Sequence, residues 1–182
     1  MILRYISAAA VIDALCTVVL GSWTRINGAG MTCPDWPTCH GMLLPSMADG
    51  TIWEWTHRLF AFMLAPLALA VIAAAWRERE RVPYAVQTAG AIGGLFIIQV
   101  LLGAATVHLS NSPMSVVLHW GTAMALVASL VAMTIFAHAA HDAARPNRSA
   151  RGELALLGLL CGSAGLAFVT MCIGAYVSSS GA

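Results

Sequence analysis

The sequence predicts an all-α transmembrane protein, built as an antiparallel four-helix bundle with a fifth transmembrane helix that begins a second repeat. Of its 182 residues, 59% are hydrophobic and only 9% are charged, and the mean hydropathy is +0.80. These values lie well outside those of soluble domains. Crossing a hydrocarbon core of about 30 Å takes about 20 helical residues. Apolar segments of sufficient length fall at roughly 6–24, 53–76, 84–107, 115–138 and 154–177.

The positions of the arginines predict how these helices are oriented. All nine basic residues are arginine, and most of them follow the second and fourth helices: Arg77, Arg79, Arg81, Arg145, Arg148 and Arg151. Since basic residues favour the cytoplasmic side, these ends and the N-terminus with Arg4 face the cytoplasm of a bacterial inner membrane. The loops 25–52 and 108–114 then face outward, and only Arg25 argues weakly against this.

The first apolar segment is an uncleaved membrane anchor and not a signal peptide. It is too long for a signal peptide, contains Asp13, and has no small-residue cleavage site after it. The short loops 77–83 and 108–114 make the second, third and fourth helices antiparallel neighbours. Two Gly-x-x-x-Gly pairs, at 90–94 and 158–162, are expected to let neighbouring backbones approach closely.

The outward loop contains MTCPDWPTCHG, residues 31–41, with two cysteines and two prolines. Cys33 and Cys39 lie on the oxidising side of the membrane, so they are expected to form a disulfide. Closing this short ring contributes about 2–3 kcal/mol in the chain-entropy model. The spacing matches neither a redox Cys-x-x-Cys nor a paired zinc-ligand motif, which leaves a structural and a redox role equally open. The cysteines within helices are expected to be packing residues: Cys16, Cys161 and Cys172.

The start of the second helix, TIWEWTHRLF, places three ionisable residues at membrane depth, where such groups usually mark a functional site. Glu54 and His57 are three residues apart and therefore share a helix face, where both can act on one bound molecule. Arg58 is expected to point about 100° away from His57. It could hold a carboxylate such as a haem propionate, or extend towards water.

A second histidine, His119, lies at a depth similar to that of His57. Each is about four residues into its helix, or roughly 6–8 Å below the outer surface. The two imidazoles could therefore bind one haem iron from opposite sides. A zinc site is less well supported, because no third ligand of comparable quality is evident.

The remaining polar residues in or near the helices are given structural roles. Asp13 and Gln99 are expected to make interhelical hydrogen bonds, although either could serve proton movement. His40 and His108 are expected at the surface, although either could lie near the mouth of a haem pocket. His138 and His141 are expected to be solvated near the cytoplasmic end of the fourth helix.

Three segments together resemble the first half of the haem A synthase family: TRINGAGMTCPDWPTCHG, EWTHRL and QVLLGAATVHLSNSPMSVVLHWGTA. The resemblance extends over nearly the whole chain. It implies a membrane oxidoreductase that hydroxylates the methyl group at ring position 8 of haem O twice, which gives the formyl group of haem A after loss of water. Such a protein acts in haem biosynthesis and cytochrome oxidase assembly.

The resemblance also implies roles for individual residues. His57 and His119 match the haem-ligating pair of the family's first bundle, and Glu54 matches an acidic residue needed for activity. Cys33 and Cys39 match the family's outer-loop cysteine pair. Haem O and haem A would be the bound molecules, and a haem O synthase and an electron-transfer partner are implied as protein partners.

The chain departs from the family pattern after its fifth helix, where relatives continue into a second bundle with another histidine pair. Residues 1–145 therefore read as the first bundle, and 146–182 as a cytoplasmic loop followed by the first helix of a second repeat. Thr17–Ala29 can be aligned without a gap to Thr170–Ala182. A haem b cofactor is expected in the missing second half, and a homo-oligomer could cover part of the face left exposed.

Two other classes of protein remain as alternatives. A b-type cytochrome would carry electrons without altering its haem, but it has no evident need for Glu54 or for the cysteine loop. A small transporter would use Asp13, Gln99 and Glu54 to line a path, yet broken helices in corresponding positions of two halves are not apparent. A net charge of +1 without clustered basic residues excludes nucleic acid as a partner.

Overall fold

The computed structural model describes residues 2–142 and 150–180, with side chains described for 2–142 and 162–180. It contains α1 (Leu3–Ile26), α2 (Thr51–Arg77), α3 (Ala85–His108), α4 (Pro113–Asp142) and α5 (Ala150–Ser180). Each helix contains a segment long and apolar enough to cross a membrane, and the described residues contain no β-strand. The predicted all-α transmembrane fold is therefore confirmed, and the chain is a multi-pass membrane protein.

Four of the helices form a closed bundle. Helix α1 packs against α2 and α4, and α3 packs against the same two helices. Among the described residues, α2 and α4 make no contact with each other, so they lie diagonally across the bundle. Helix α5 packs on the outside of α4. The predicted boundary between 145 and 146 lies outside the described residues.

The buried apolar core occupies only one half of the bundle. Its members are Leu3, Ala10, Ala14, Leu64, Ala68, Val71, Ala74, Ala75, Val82, Ala85, Ala89, Ile92, Leu126, Leu130, Met133 and Ala137. This half ends at Arg77, and we call it the arginine end. The other half, the cysteine end, begins beyond Ala14, Leu64, Ile92 and Leu126 and contributes no described residue to this core. The two ends therefore differ in what fills them.

At the arginine end, Glu78 connects the end of α2 to the start of α1. Its Oε1 accepts hydrogen bonds from the backbone N–H of Ile2 at 2.9 Å and of Leu3 at 3.2 Å. The first N–H groups of a helix have no partner within the helix. Glu78 therefore supplies a cap from a distant part of the chain.

The expected close packing at Gly90 and Gly94 is wrong. A Cβ atom added at either position would meet no described atom within 4 Å. The close contact on this helix is at Gly93, where a Cβ would lie 3.3 Å from the side chain of Ile72. The Gly-x-x-x-Gly spacing predicted close packing in the correct segment of α3 but on the wrong face of the helix.

The segment between α1 and α2 folds over the cysteine end. Asn111, from the α3–α4 turn, donates a hydrogen bond to the carbonyl of Gly30 at 2.8 Å. A disulfide joins Cys33 to Cys39, and both residues are buried. We call residues 33–39 the cysteine ring. Cys16 and Cys172 are half-buried free thiols, and Cys161 lies outside the described side chains.

We expect mass spectrometry without reductant to find the loop peptide lighter by two hydrogens than after reduction. Cys16 provides an internal control, because its thiol should be alkylated once the protein is unfolded under both conditions. Recovery of Cys33 and Cys39 with both thiols alkylated, from intact membranes without reductant, would contradict the disulfide.

Candidate functional site

Glu54 and Arg58 form a largely buried ion pair at the start of α2. Arg58 Nη2 lies 2.6 Å from Glu54 Oε1, and the two side chains are only 16% and 6% exposed. The other carboxylate oxygen, Oε2, accepts hydrogen bonds from the hydroxyl of Thr32 at 3.0 Å and from the N–H of Cys33 at 2.9 Å. Both oxygens of Glu54 are therefore held in place.

Arg58 also binds the backbone of the cysteine ring. Nη1 donates to the carbonyls of Asp35 and Thr38, each at 2.6 Å, and Nη2 donates to that of Cys33 at 3.0 Å. The partners of Arg58 are thus neither a propionate nor water, the two expected from the sequence, but Glu54 and the ring carbonyls. A signal for the ion pair was present, since Glu54 and Arg58 have the i,i+4 spacing of a helical ion pair.

Asp35 organises the cysteine ring from within. Its carboxylate accepts hydrogen bonds from the Thr38 hydroxyl and from the backbone N–H of His40 and of Gly41, the last at 2.9 Å. These bonds, with that from Thr38 contributing most, lower the pKa of Asp35 to about 2. The carboxylate is therefore ionised at any physiological pH, and its contribution to loop order is lost only in strong acid.

His57 is the seventh residue of α2 and is anchored by α1. Its Nδ1 donates a hydrogen bond to the carbonyl of Thr17 at 2.9 Å. The ring lies directly against Gly21, where an added Cβ would be only 2.9 Å from Cε1 of the imidazole. The bond at Nδ1 fixes the tautomer and leaves Nε2 as the nitrogen that can bind a metal.

His119 occupies the matching position as the seventh residue of α4. Its imidazole lies against Gly103, where an added Cβ would be 3.3 Å from Cε1. Nε2 lies 3.4 Å from the amide nitrogen of Gln99. His119 Nδ1 and Gln99 Oε1 are buried and make no hydrogen bond with any described residue. Such orphaned groups are uncommon in protein interiors and suit a site that receives a ligand.

The two histidines fit a haem held between diagonal helices. His57 and His119 each lie seven residues, or about 10 Å, beyond the last core leucine of their helix, Leu64 and Leu126 respectively. They are thus at one depth, in the half of the bundle that the apolar core does not fill. Within the described part of the chain, no group of three His, Cys, Asp or Glu residues could hold a metal ion. A pair of imidazoles is the donor set that haem iron accepts.

The residues that contact the two imidazoles repeat along the sequence. On α1 they are Thr17 and Gly21, and on α3 they are Gln99 and Gly103, with the same spacing of four. Each glycine follows an apolar triplet, VVL or VLL. This repeat was not predicted, although it is visible in the sequence when the two segments are compared.

The structure separates the other polar residues from this site. His40, His108, His138 and His141 are all exposed. The interhelical hydrogen bond expected of Asp13 is not found, because its Oδ2 is buried without a partner among the described residues. Gln99 does contact a residue of another helix, as expected.

Comparison with known proteins identifies the family. The family model for a cytochrome oxidase assembly protein matches residues 4–182. A haem A synthase of Bacillus pumilus is 29% identical over 138 residues, which cover 74% of this chain and 45% of the relative. A haem A synthase of Bacillus licheniformis is 28% identical over 134 residues, or 73% of this chain and 44% of the relative.

A third relative has a different name. A protoheme IX farnesyltransferase of Halobacterium salinarum is 28% identical over 148 residues, which cover 80% of this chain and 32% of the relative. The chain thus spans about half the length, or less, of these curated relatives. Because the family model extends over almost all of its residues, the chain belongs to the cytochrome oxidase assembly protein family that includes the haem A synthases.

Proposed function

We propose that the protein is a haem A synthase, or the haem-binding half of one, which oxidises the C8 methyl group of haem O to a formyl group. The observation that carries this proposal is the pair of imidazoles at one depth on diagonal helices, His57 and His119, next to the fixed carboxylate of Glu54. Membership of the family supports it. The activity is proposed because the chain matches about half of each haem A synthase relative.

In this proposal His57 and His119 hold the haem iron. When bound, haem O supplies the methyl group that is oxidised and the iron that the imidazoles ligate. His57 is the more firmly positioned of the two, because its Nδ1 is bonded to a backbone carbonyl at 2.9 Å. His119 has only the longer contact of 3.4 Å with Gln99. The two imidazoles would therefore hold the iron with unequal support from the surrounding protein.

Glu54 would act on the substrate as a catalytic group. It shares a face of α2 with His57, and hydrogen bonds from Arg58, Thr32 and Cys33 fix both of its oxygens. A carboxylate held in this way can accept a proton, or stabilise positive charge at the oxidised carbon, without first reorganising. Arg58 remains a candidate for binding a propionate, although its contacts in the structure are with Glu54 and the cysteine ring.

Helix α5 would begin a second repeat. The alignment of Thr17–Ala29 with Thr170–Ala182 places Gly174 where Gly21 contacts His57. A Cβ at Gly174 would meet no described atom within 4 Å, which leaves space for a side chain from another helix. The matched segments cover less than half of each haem A synthase relative, and we propose that the remainder of those relatives includes a second bundle with a haem b.

We further propose an orientation and a set of partners. The arginines concentrated beyond α2 support an orientation with the arginine end in the cytoplasm and the cysteine ring outside a bacterial inner membrane. Haem O must come from an enzyme that attaches a farnesyl group to protohaem, and a haem O synthase is the proposed partner. The similarity of this chain to a protoheme IX farnesyltransferase supports a role in handling haem O. An electron-transfer partner and a homo-oligomer are further proposals.

The function can be tested by expressing the chain in a host that makes haem O but not haem A. We expect haem A to appear in extracted pigments, and Glu54→Gln to abolish it while haem remains bound, because that variant keeps the side chain's shape but loses its charge. A wild-type chain that binds haem and returns it unchanged would contradict the proposal and favour a b-type cytochrome.

We expect His57→Ala and His119→Ala each to lower haem content and to disturb the low-spin absorption spectrum, because each removes an imidazole that would ligate the haem iron. His138→Ala is a matched control, since this exposed histidine lies at the other end of α4. If both site variants retain wild-type haem content and spectrum, the ligand assignment is wrong.

The contacts of the two glycines predict an unequal effect. Gly21→Ala should weaken haem retention by about 5- to 150-fold, which corresponds to the roughly 1–3 kcal/mol typical of overpacking. Gly103→Ala should have a smaller effect, because its Cβ would have 3.3 Å of space instead of 2.9 Å. Gly94→Ala is the control, as its Cβ would face no described atom within 4 Å. Haem titration of the three purified variants would show whether the order holds.

A further inference from the structure

We propose that Arg58 is a positioning residue, which holds the cysteine ring and Glu54 together as one rigid unit. The inference rests on the proposed function only for what Glu54 does to the substrate. It concerns contacts within this chain and gives the ring a definite role, which is to keep the carboxylate of Glu54 in place.

The guanidinium of Arg58 hydrogen-bonds to both the cysteine ring and Glu54. Two nitrogens of Arg58 make four contacts, three with ring carbonyls and one with Glu54. The carbonyls belong to Cys33, Asp35 and Thr38, which are spread along the ring. Arginine can serve them together because its donors form a planar fork, whereas the ammonium group of a lysine is a single point charge with three donors.

The contacts among Cys33, Glu54 and Arg58 form a closed cycle. Cys33 donates its N–H to Glu54 Oε2 at 2.9 Å and accepts a bond from Arg58 at its carbonyl. Arg58 in turn binds the other oxygen of Glu54 at 2.6 Å. Three residues are thus linked pairwise, and moving any one of them breaks contacts of the other two.

Charge supports the same conclusion. The guanidinium is already paired with a carboxylate, and Asp35 supplies a further negative charge within the ring. A buried ion pair is stable only when its remaining donors and acceptors are satisfied, and the ring carbonyls satisfy them here. A haem propionate would have to displace these partners. The geometry therefore favours a structural link over a propionate contact.

The disulfide then has a specific purpose. Closure between Cys33 and Cys39 confines the three carbonyls that Arg58 binds to one short ring. Opening the ring would allow them to separate, and Glu54 would lose the N–H of Cys33 as a fixed donor. We infer that the disulfide acts on the reaction through Arg58 and Glu54 and makes no direct contact with the substrate.

The test compares how fast the ring can be reduced in variants of the full chain in membranes, without added haem O. A mild dithiol is added, and Cys33 and Cys39 are labelled with a membrane-impermeant maleimide over time. Arg58→Gln should be labelled at least about tenfold faster than wild type, because several charge-assisted hydrogen bonds are lost. Arg58→Lys should fall between the two, since it keeps the charge but cannot form the fork.

Arg25→Gln is the matched control. Arg25 is another arginine at the cysteine end, but its guanidinium binds Ser178 on α5 instead of the ring. Its substitution should leave the labelling rate unchanged. If Arg58→Gln does not accumulate in the membrane, Arg58→Lys alone must still show accelerated labelling.

A double-variant comparison tests whether Arg58 and Glu54 act as a unit. Glu54→Gln should also accelerate labelling, and the pair Glu54→Gln with Arg58→Gln should exceed the larger single effect by less than about twofold, because residues of one network are not additive. Effects that multiply would overturn the proposal. Labelling of Arg58→Gln at the wild-type rate would also overturn the proposal. If the haem affinity of that variant fell at the same time, Arg58 would be assigned to the haem instead. A wild-type chain that makes no haem A would refute the proposed function and leave this result intact.

Discussion

The cysteine end depends on the ion pair between Glu54 and Arg58. Ionised groups at membrane depth are costly, and a buried pair whose other donors and acceptors were unsatisfied would destabilise the fold. Here the cysteine ring supplies what is missing, three carbonyls for Arg58 and one N–H for Glu54. The loop therefore supplies the hydrogen-bond partners that water would otherwise provide to the ion pair. Its compact shape follows from the need to surround one charge pair.

The bundle is also organised around close approach at two glycines. Gly21 and Gly103 leave room for one imidazole each, so the histidines of α2 and α4 lie against α1 and α3. On both α1 and α3, the glycine lies four residues after the other residue that contacts the imidazole. The bundle therefore consists of two similar helical hairpins, α1–α2 and α3–α4. The hairpins differ in the group that meets the imidazole: a backbone carbonyl at His57 and a side-chain amide at His119. The second contact can be changed by substitution, whereas the first belongs to the main chain.

The helices and the matched depth of the histidines could be predicted from the sequence because both depend on the number of residues in each apolar segment. An apolar segment of about 20 residues must cross the membrane as a helix, and a rise of about 1.5 Å per residue then fixes depth. The direction of Arg58 could not be obtained this way, because it depends on how a loop more than 20 residues earlier folds back. The contacts between the glycines and the imidazoles could not be predicted either, because a glycine in a membrane helix has many possible neighbours.

The apolar core and the candidate functional residues lie at opposite ends of the bundle. The apolar core from Leu3 to Ala137 is gathered at the arginine end, so burial of apolar surface there can hold the helices together. The two imidazoles and the orphaned Gln99 Oε1 and His119 Nδ1 lie at the other end, where filling the space with apolar residues would exclude a ligand. Helices α2 and α4 make no contact along their described residues because they are diagonal in the bundle. If the diagonal helices met at the cysteine end, no space would remain for the flat cofactor that we propose between the histidines.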